Sequence, residues 1–213
     1  TRTDTLFPYT TLFRSRQAYD LNEWTLEFNV NMSELGKGLG ELNNQALFGA
    51  WGSNGGEIYT RFGDAPIEGN RLQIKTQGTQ MNSKMLFDAK KWYHIAFVCT
   101  GTKLYLYVNG VLDNSMSLPG NATNIASPIN FGNTDYLRAD VKVSELRFWT
   151  KARTQAQVLN NMYACDPKSD GLEAYWKLNE GQGDTFADAT GHGNTGKCVA
   201  VPDWEQNVRI DGK

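Results

Sequence analysis

The run Lys91 to Gly110, K-W-Y-H-I-A-F-V-C-T-G-T-K-L-Y-L-Y-V-N-G, constrains the fold more than any other part of the chain. Tyr93 to Thr100 is almost entirely apolar, aromatic or β-branched, and Gly101 interrupts it. From Lys103 to Val108 the large side chains alternate, Leu104, Leu106 and Val108 on one face and Tyr105 and Tyr107 on the other. Asn109-Gly110 suits a type I′ turn, which needs positive φ at both central residues and matches the twist of paired strands. Val111 and Leu112 resume the apolar run. The segment predicts an antiparallel meander.

The same alternation recurs upstream. Trp24, Leu26, Phe28, Val30 and Met32 alternate with Thr25, Glu27, Asn29 and Asn31, predicting a strand with one buried face. Short strands are expected over 46–51, 57–62, 71–76, 128–131, 141–149 and 171–178, with closing strands over 199–204 and 208–210. Residues 115–127 and the glycine-rich stretch up to Gly196 read as loops. One helix is expected, Arg153 to Ala164, capped by Thr154, with Val158, Leu159 and Met162 on its inner face and Asp166-Pro167 after its end. Many short strands spaced by turn residues favour an antiparallel two-sheet sandwich with one short peripheral helix.

Composition removes several function classes. The chain has 213 residues, a size one β-sandwich can occupy, and a net charge of −2, which offers no basic field for a phosphate backbone. Nucleic acid is not an expected partner. No apolar run reaches the ~18 residues that span a bilayer, and no signal peptide is visible. Three cysteines exclude a fully paired framework. Cys99 reads as a buried thiol; Cys165 and Cys198 either pair or stay separate. No C-x-x-C supports zinc or redox chemistry.

Thr1 to Ser15 departs from this pattern. Thr5-Leu6-Phe7 recurs as Thr11-Leu12-Phe13 around Pro8-Tyr9. The segment resembles translated sequencing-adapter sequence fused to a truncated reading frame; the alternative is a natural edge strand interrupted by Pro8. The expected organisation is a leader, residues 1–15, and a single domain, residues 16–213.

Three motifs carry a family resemblance. They are W-Y-H-I-A with L-Y-V-N-G in the meander, S-E-L-R-F-W at Ser144 to Trp149, and A-Y-W-K-L-N-E-G-Q-G-D-T-F-A-D-A-T-G-H-G-N at Ala174 to Asn194. Together they resemble the laminin-G-like, concanavalin A-like jelly roll. The set is most similar to the C-terminal domain of surface glycan-binding lipoproteins of Bacteroides-type bacteria. The resemblance implies non-catalytic carbohydrate binding by a bacterial cell-surface or secreted protein, with the export signal and a preceding domain missing from this chain. The alternative is a protein-interaction module on the same sandwich.

A retaining glycosidase on this fold would place two carboxylates ~5–5.5 Å apart on one strand face. No E-x-D-x-x-E pattern exists here, and no G-x-S-x-G, so the chain is read as a non-enzyme. His94 reads as a strand histidine bonded to a neighbouring loop, and Glu145 with Arg147 as a structural ion pair. The candidate glycan-binding residues are Glu57, Tyr59 and Arg61, which share one strand face, with Trp51 upstream and Asp64 downstream. An aromatic plate stacks on a pyranose ring, while charged groups bond its hydroxyls. Asp188 and Asn194, in D-A-T-G-H-G-N, are the candidate Ca²⁺ ligands, because hard oxygens on an adaptable loop suit that ion. Relatives of the laminin-G and pentraxin type often bind calcium, but Ser144 stands where such relatives carry an acidic residue. The other reading is a turn in which Asp188 caps backbone N–H groups.

Overall fold

In the computed structural model the chain is described over residues 3–6, 11–13, 19–36, 45–50, 58–63, 68–125, 129–131, 140–198 and 202–206. One eight-stranded antiparallel sheet is centred on β4 (Glu23–Met32), β9 (Trp92–Thr100) and β14 (Val141–Trp149). β10 (Lys103–Val108) and β11 (Val111–Ser117) extend it on one side. β1 (Thr3–Leu6) and β18 (Asp203–Gln206) extend it on the other, and β15 (Leu172–Trp176) also pairs with β14.

The second eight-stranded sheet runs in the order β16 (Thr185–Phe186), β17 (Gly196–Cys198), β2 (Thr11–Phe13), β13 (Ile129–Phe131), β5 (Gln45–Ala50), β6 (Ile58–Phe62), β7 (Leu72–Thr76) and β8 (Thr79–Asn82). β3 (Tyr19–Leu21) and β12 (Thr123–Ile125) form a small separate pair. Both large sheets give one face to a common core. Leu26, Phe28, Ile95, Phe97 and Phe148 come from the first, and Ile58, Phe62, Leu72, Ile74 and Phe131 from the second. The architecture is the expected antiparallel sandwich.

The meander forms as its alternation dictates. Leu104, Leu106 and Val108 enter the main core. Tyr107 joins Ala96, Val98 and Val158 in a second cluster beneath the helix, and Tyr105 packs against it. Asn109 and Gly110 have φ of 51° and 75°, as a type I′ turn requires. Gly110 is needed for a second reason: a Cβ there would lie 2.5 Å from Cδ1 of Leu159 on the helix.

Several boundaries differ from the expectation. Within 115–127, β11 continues to Ser117 and β12 forms. Within the glycine-rich stretch, β16 and β17 form. β8 follows a Gln77-Gly78 turn with φ of 49° and 71°, a hairpin that the sequence reading passed over. The expected strand over 208–210 lies outside the described residues. The helix α1 is only Gln155–Asn160. Thr154 caps it in a capping box with Gln157, as read, but Asn161 leaves helical geometry. The next two carbonyls are taken by strand side chains: Arg147 Nη1 donates to Asn161 O at 2.6 Å, and Asn29 Nδ2 to Met162 O at 3.0 Å. Val158 is buried as expected, whereas Leu159 is exposed. No disulfide joins Cys165 to Cys198: Cys198 lies in the main core, while Cys165 packs beside Trp149 and Tyr175.

Two strands fall within residues 1–15. β1 pairs Thr5 and Leu6 with Val143 and Lys142, and β2 pairs three residues with β13 and three with β17.

Candidate functional site

Strand β6 points Ile58 and Phe62 into the core, so Tyr59 and Arg61 occupy the opposite face, as their parity predicts. The register then aligns Arg61 with Gln73 on β7 and Gln73 with Asn82 on β8. A continuous hydrogen-bonded row results. Arg61 Nη1 donates to Tyr59 OH at 2.9 Å and Arg61 Nε to Gln73 Oε1 at 2.8 Å; Gln73 Nε2 donates to Asn82 Oδ1 at 2.9 Å. The guanidinium also lies 4.9 Å from the Tyr59 ring centroid. In the adjacent row, Tyr59 aligns with Lys75 and Lys75 with Gln80, both of the latter exposed. On the other side β5 sets Ala46 beside Arg61 and Gly49 beside Tyr59, so little side-chain bulk rises there. Beyond Gly49 stands Asn130 of β13, whose buried Oδ1 has no hydrogen-bond partner among the described residues.

The expectation that Tyr59 and Arg61 present themselves openly is corrected: each is only 7% exposed. Arg61 lies along the sheet, with its donors committed to Gln73 and Tyr59. The accessible groups are Lys75 and Gln80, with Asn82 half-buried. Trp51, Glu57 and Asp64 lie outside the described residues. The sequence reading named neither Gln73 and Lys75 nor Gln80 and Asn82. Their signal was the Gln77-Gly78 hairpin, which fixes the β7–β8 register.

The outer face of the first sheet is different: it is covered by α1 and the segment that follows. Glu27 is fully buried there among three basic side chains. Arg153 Nη1 lies 2.5 Å from Oε1, while His94 Nε2 and Arg147 Nη2 lie 3.3 Å and 3.7 Å from Oε2. Burial alone would raise the Glu27 pKa, but Arg147, then His94 and Arg153, outweigh it and hold the carboxyl at about 2. For His94 burial wins, and its pKa is lowered even though Glu27 opposes the shift. Two expectations are corrected here. The His94 ring faces Glu27, not a loop. Arg147 takes Glu27 as its charge partner, whereas the Glu145 carboxylate accepts a hydrogen bond from the Tyr175 hydroxyl. Burial and Glu145 together push the Tyr175 phenol well above its ordinary range.

The Asp188 loop is a tightly bonded turn. Oδ1 accepts from the backbone N–H of Tyr175 at 3.2 Å and of Thr190 at 3.0 Å, and from the Thr190 hydroxyl at 2.7 Å. Oδ2 accepts from the Asn194 N–H at 3.1 Å. The Asn194 side-chain Nδ2 donates to Glu173 O at 3.0 Å, and the Asn194 backbone carbonyl accepts from the Trp176 indole at 2.6 Å. Both Asp188 oxygens are thus engaged by donors, and Asn194 turns N–H groups inward. In this arrangement the pair does not fit a Ca²⁺ ion, which requires free oxygen ligands. Among the described residues no group of three or more His, Cys, Asp or Glu side chains could hold a metal.

A family model for the Concanavalin A-like lectin/glucanases superfamily matches residues 8–159. No curated protein matches the sequence. Among solved structures, a candidate carbohydrate binding protein from Bacteroides ovatus superposes with a TM-score of 0.78 at 24% identity, covering 96% of this chain. The chain spans 59% of that protein's length. A heptameric SAP-like pentraxin from Limulus polyphemus gives a TM-score of 0.56 at 16% identity, covering 74% of this chain and 80% of its own. The ligand binding domain of botulinum neurotoxin serotype D, solved with N-acetylneuraminic acid, gives 0.58 at 12% identity, covering 75% of this chain and 41% of its own. At these identities the likeness is one of fold.

Proposed function

Because this chain belongs to the Concanavalin A-like lectin/glucanases superfamily, we propose that it binds glycans without hydrolysing them, across the outer face of β5 to β8. The observation that carries the reading is the exposed pair Lys75 and Gln80, aligned across β7 and β8 beside the bonded row Tyr59–Arg61–Gln73–Asn82. An ammonium group and an amide recognise hydroxyls, and the bonded row beneath them supplies a strand surface that needs no ordering when ligand arrives. Strands β5 to β8 contain no Asp or Glu, which favours binding over acid–base chemistry on this face. Trp51, Glu57 and Asp64 are proposed as further contacts of the same glycan. The carbohydrate-binding description of the Bacteroides ovatus protein accords with this reading.

The protein is proposed to act at a bacterial surface or in secreted form. Among the described residues no helix is long and apolar enough to cross a membrane.

A protein-docking reading has one observation in its favour. β11 is a sheet edge, and Val111 and Leu112 on it are 65% and 47% exposed. A glycan array probed with the full chain separates the two. Binding to a defined oligosaccharide that Lys75→Ala or Gln80→Ala weakens supports the outer-face site; a blank array favours protein docking.

A further inference from the structure

A pocket of about 310 Å³ opens on the opposite side of the sandwich, beside α1, between the end of β14 and the Ser169-Asp170 turn. Trp149, Arg153 and the half-buried Asn161 line its inner part, and Lys151, Gln157 and Asp170 stand at its exposed part. Its volume lies at the lower end of the ~300–1,000 Å³ typical of small-molecule sites and suits one monosaccharide.

The polar groups of this pocket are committed in a one-sided way. The Arg153 guanidinium lies 4.0 Å from the Trp149 ring centroid, held there by Glu27 Oε1 and by Asn161 Oδ1, each 2.5 Å away. With Oδ1 so engaged, Asn161 has its amide N–H groups to offer. Gln157 Oε1 accepts from the Thr154 backbone N–H at 2.8 Å, which leaves the Gln157 amide N–H groups to offer as well. Trp149 is 3% exposed, and its indole Nε1 has no acceptor among the described residues. A buried donor left unbonded costs free energy that a ligand oxygen would recover. Lys151 contributes a further cation, paired with Asp170. The buried and half-buried groups still to be satisfied are therefore N–H donors, while the two cations that line the pocket are paired, Arg153 with Glu27 and Lys151 with Asp170.

We infer that this pocket binds a carboxylate-bearing, monosaccharide-sized ligand, an acidic sugar of the hexuronate class, with the carboxylate accepting from the Trp149 indole and the Gln157 and Asn161 amides. The site lies on the other sheet from the outer-face row and does not depend on it. A simple carboxylic acid would share the key interaction, so the probes must separate the sugar from the acid.

The experiment follows the indole N–H resonances of the ¹⁵N-labelled full chain during titration with D-glucuronate, D-glucose and acetate. Trp149→Phe identifies the Trp149 resonance. D-glucuronate should move it saturably, D-glucose should not, and acetate should act at least ten-fold more weakly. Gln157→Glu keeps the oxygen that the Thr154 capping box needs and replaces the amide donor with a negative charge. It should weaken glucuronate at least ten-fold while the melting temperature holds. If Trp149→Phe does not fold, loss of the glucuronate shift in Gln157→Glu carries the test. An unmoved Trp149 resonance, an equal response to D-glucose, an equal response to acetate, or undiminished binding in Gln157→Glu would each overturn the inference. Lys75→Ala and Gln80→Ala should leave this titration unchanged, which separates its failure from that of the outer-face site.

Discussion

Arg153 meets Glu27 across 126 residues of sequence, Nη1 to Oε1 at 2.5 Å, with both side chains buried beneath the segment that carries α1. The pair ties that segment to the centre of the first sheet. Glu27→Gln should therefore be severe, because it leaves Arg153 and Arg147 as buried cations without their anion. The expected loss is about 3–5 kcal/mol, measured by denaturant unfolding. A loss below about 1 kcal/mol would show that the cluster repacks around the amide.

The same cluster sets the pH response. Below about pH 6.5 the unfolded chain protonates its histidines, whereas buried His94 resists, its pKa being lowered. The unfolded state then binds more protons than the native state, so stability falls as pH falls. A second loss follows as pH drops from the ordinary glutamate value of 4.5 towards about 2, where native Glu27 is finally protonated. Both groups act in the same direction, so stability should fall on acidification below pH 6.5 and fall again between about pH 4.5 and 2. His94→Gln should flatten the upper part of that decline while leaving the lower part. An unchanged profile in the variant would assign the upper part to other groups.

On the outer face, Lys75→Ala and Gln80→Ala remove exposed groups. Each should weaken binding to an array-identified glycan by about three- to ten-fold, the effect of losing one hydrogen bond. Stability should stay within about 0.5 kcal/mol. Tyr59→Ala and Arg61→Ala break the buried row and should lower both stability and affinity. Normal glycan binding in all four variants would place the site elsewhere.

Asp188→Ala deprives three backbone N–H groups of their acceptor. It should destabilise the domain by about 1–3 kcal/mol. In metal-stripped protein, millimolar Ca²⁺ should leave the melting temperature unchanged, since an ion must bind the native state to stabilise it. A rise with Ca²⁺ that Asp188→Ala abolishes would restore Asp188 as an ion ligand.

Deleting residues 1–15 should shift the melting temperature by only a few degrees, about 1 kcal/mol in a domain of this size. β1 pairs two residues with β14 and four with β18, and β2 pairs three with β13 and three with β17, all short ladders beside the nine residues that β4 pairs with β9. Collapse of the fold on deletion would make β1 and β2 integral to both sheets.

Much of the architecture was legible in the sequence, because a strand's two faces are written in its alternation. Trp24 to Met32, the meander with its Asn109-Gly110 turn, the parity of Tyr59 and Arg61, and the Thr154 cap all rest on interactions within a few residues. What covers a face is not local. Glu27 and Arg61 both stand at polar positions of alternating strands, off the face expected to be buried. Glu27 is buried because residues more than a hundred positions away close over it. Arg61 is buried in a row with Gln73 and Asn82 that the β6–β7–β8 register lines up. The sequence by itself determined which residues share a face. Tertiary structure decided which face meets water, because burial and pKa depend on the charges and dipoles that distant segments bring within a few ångströms.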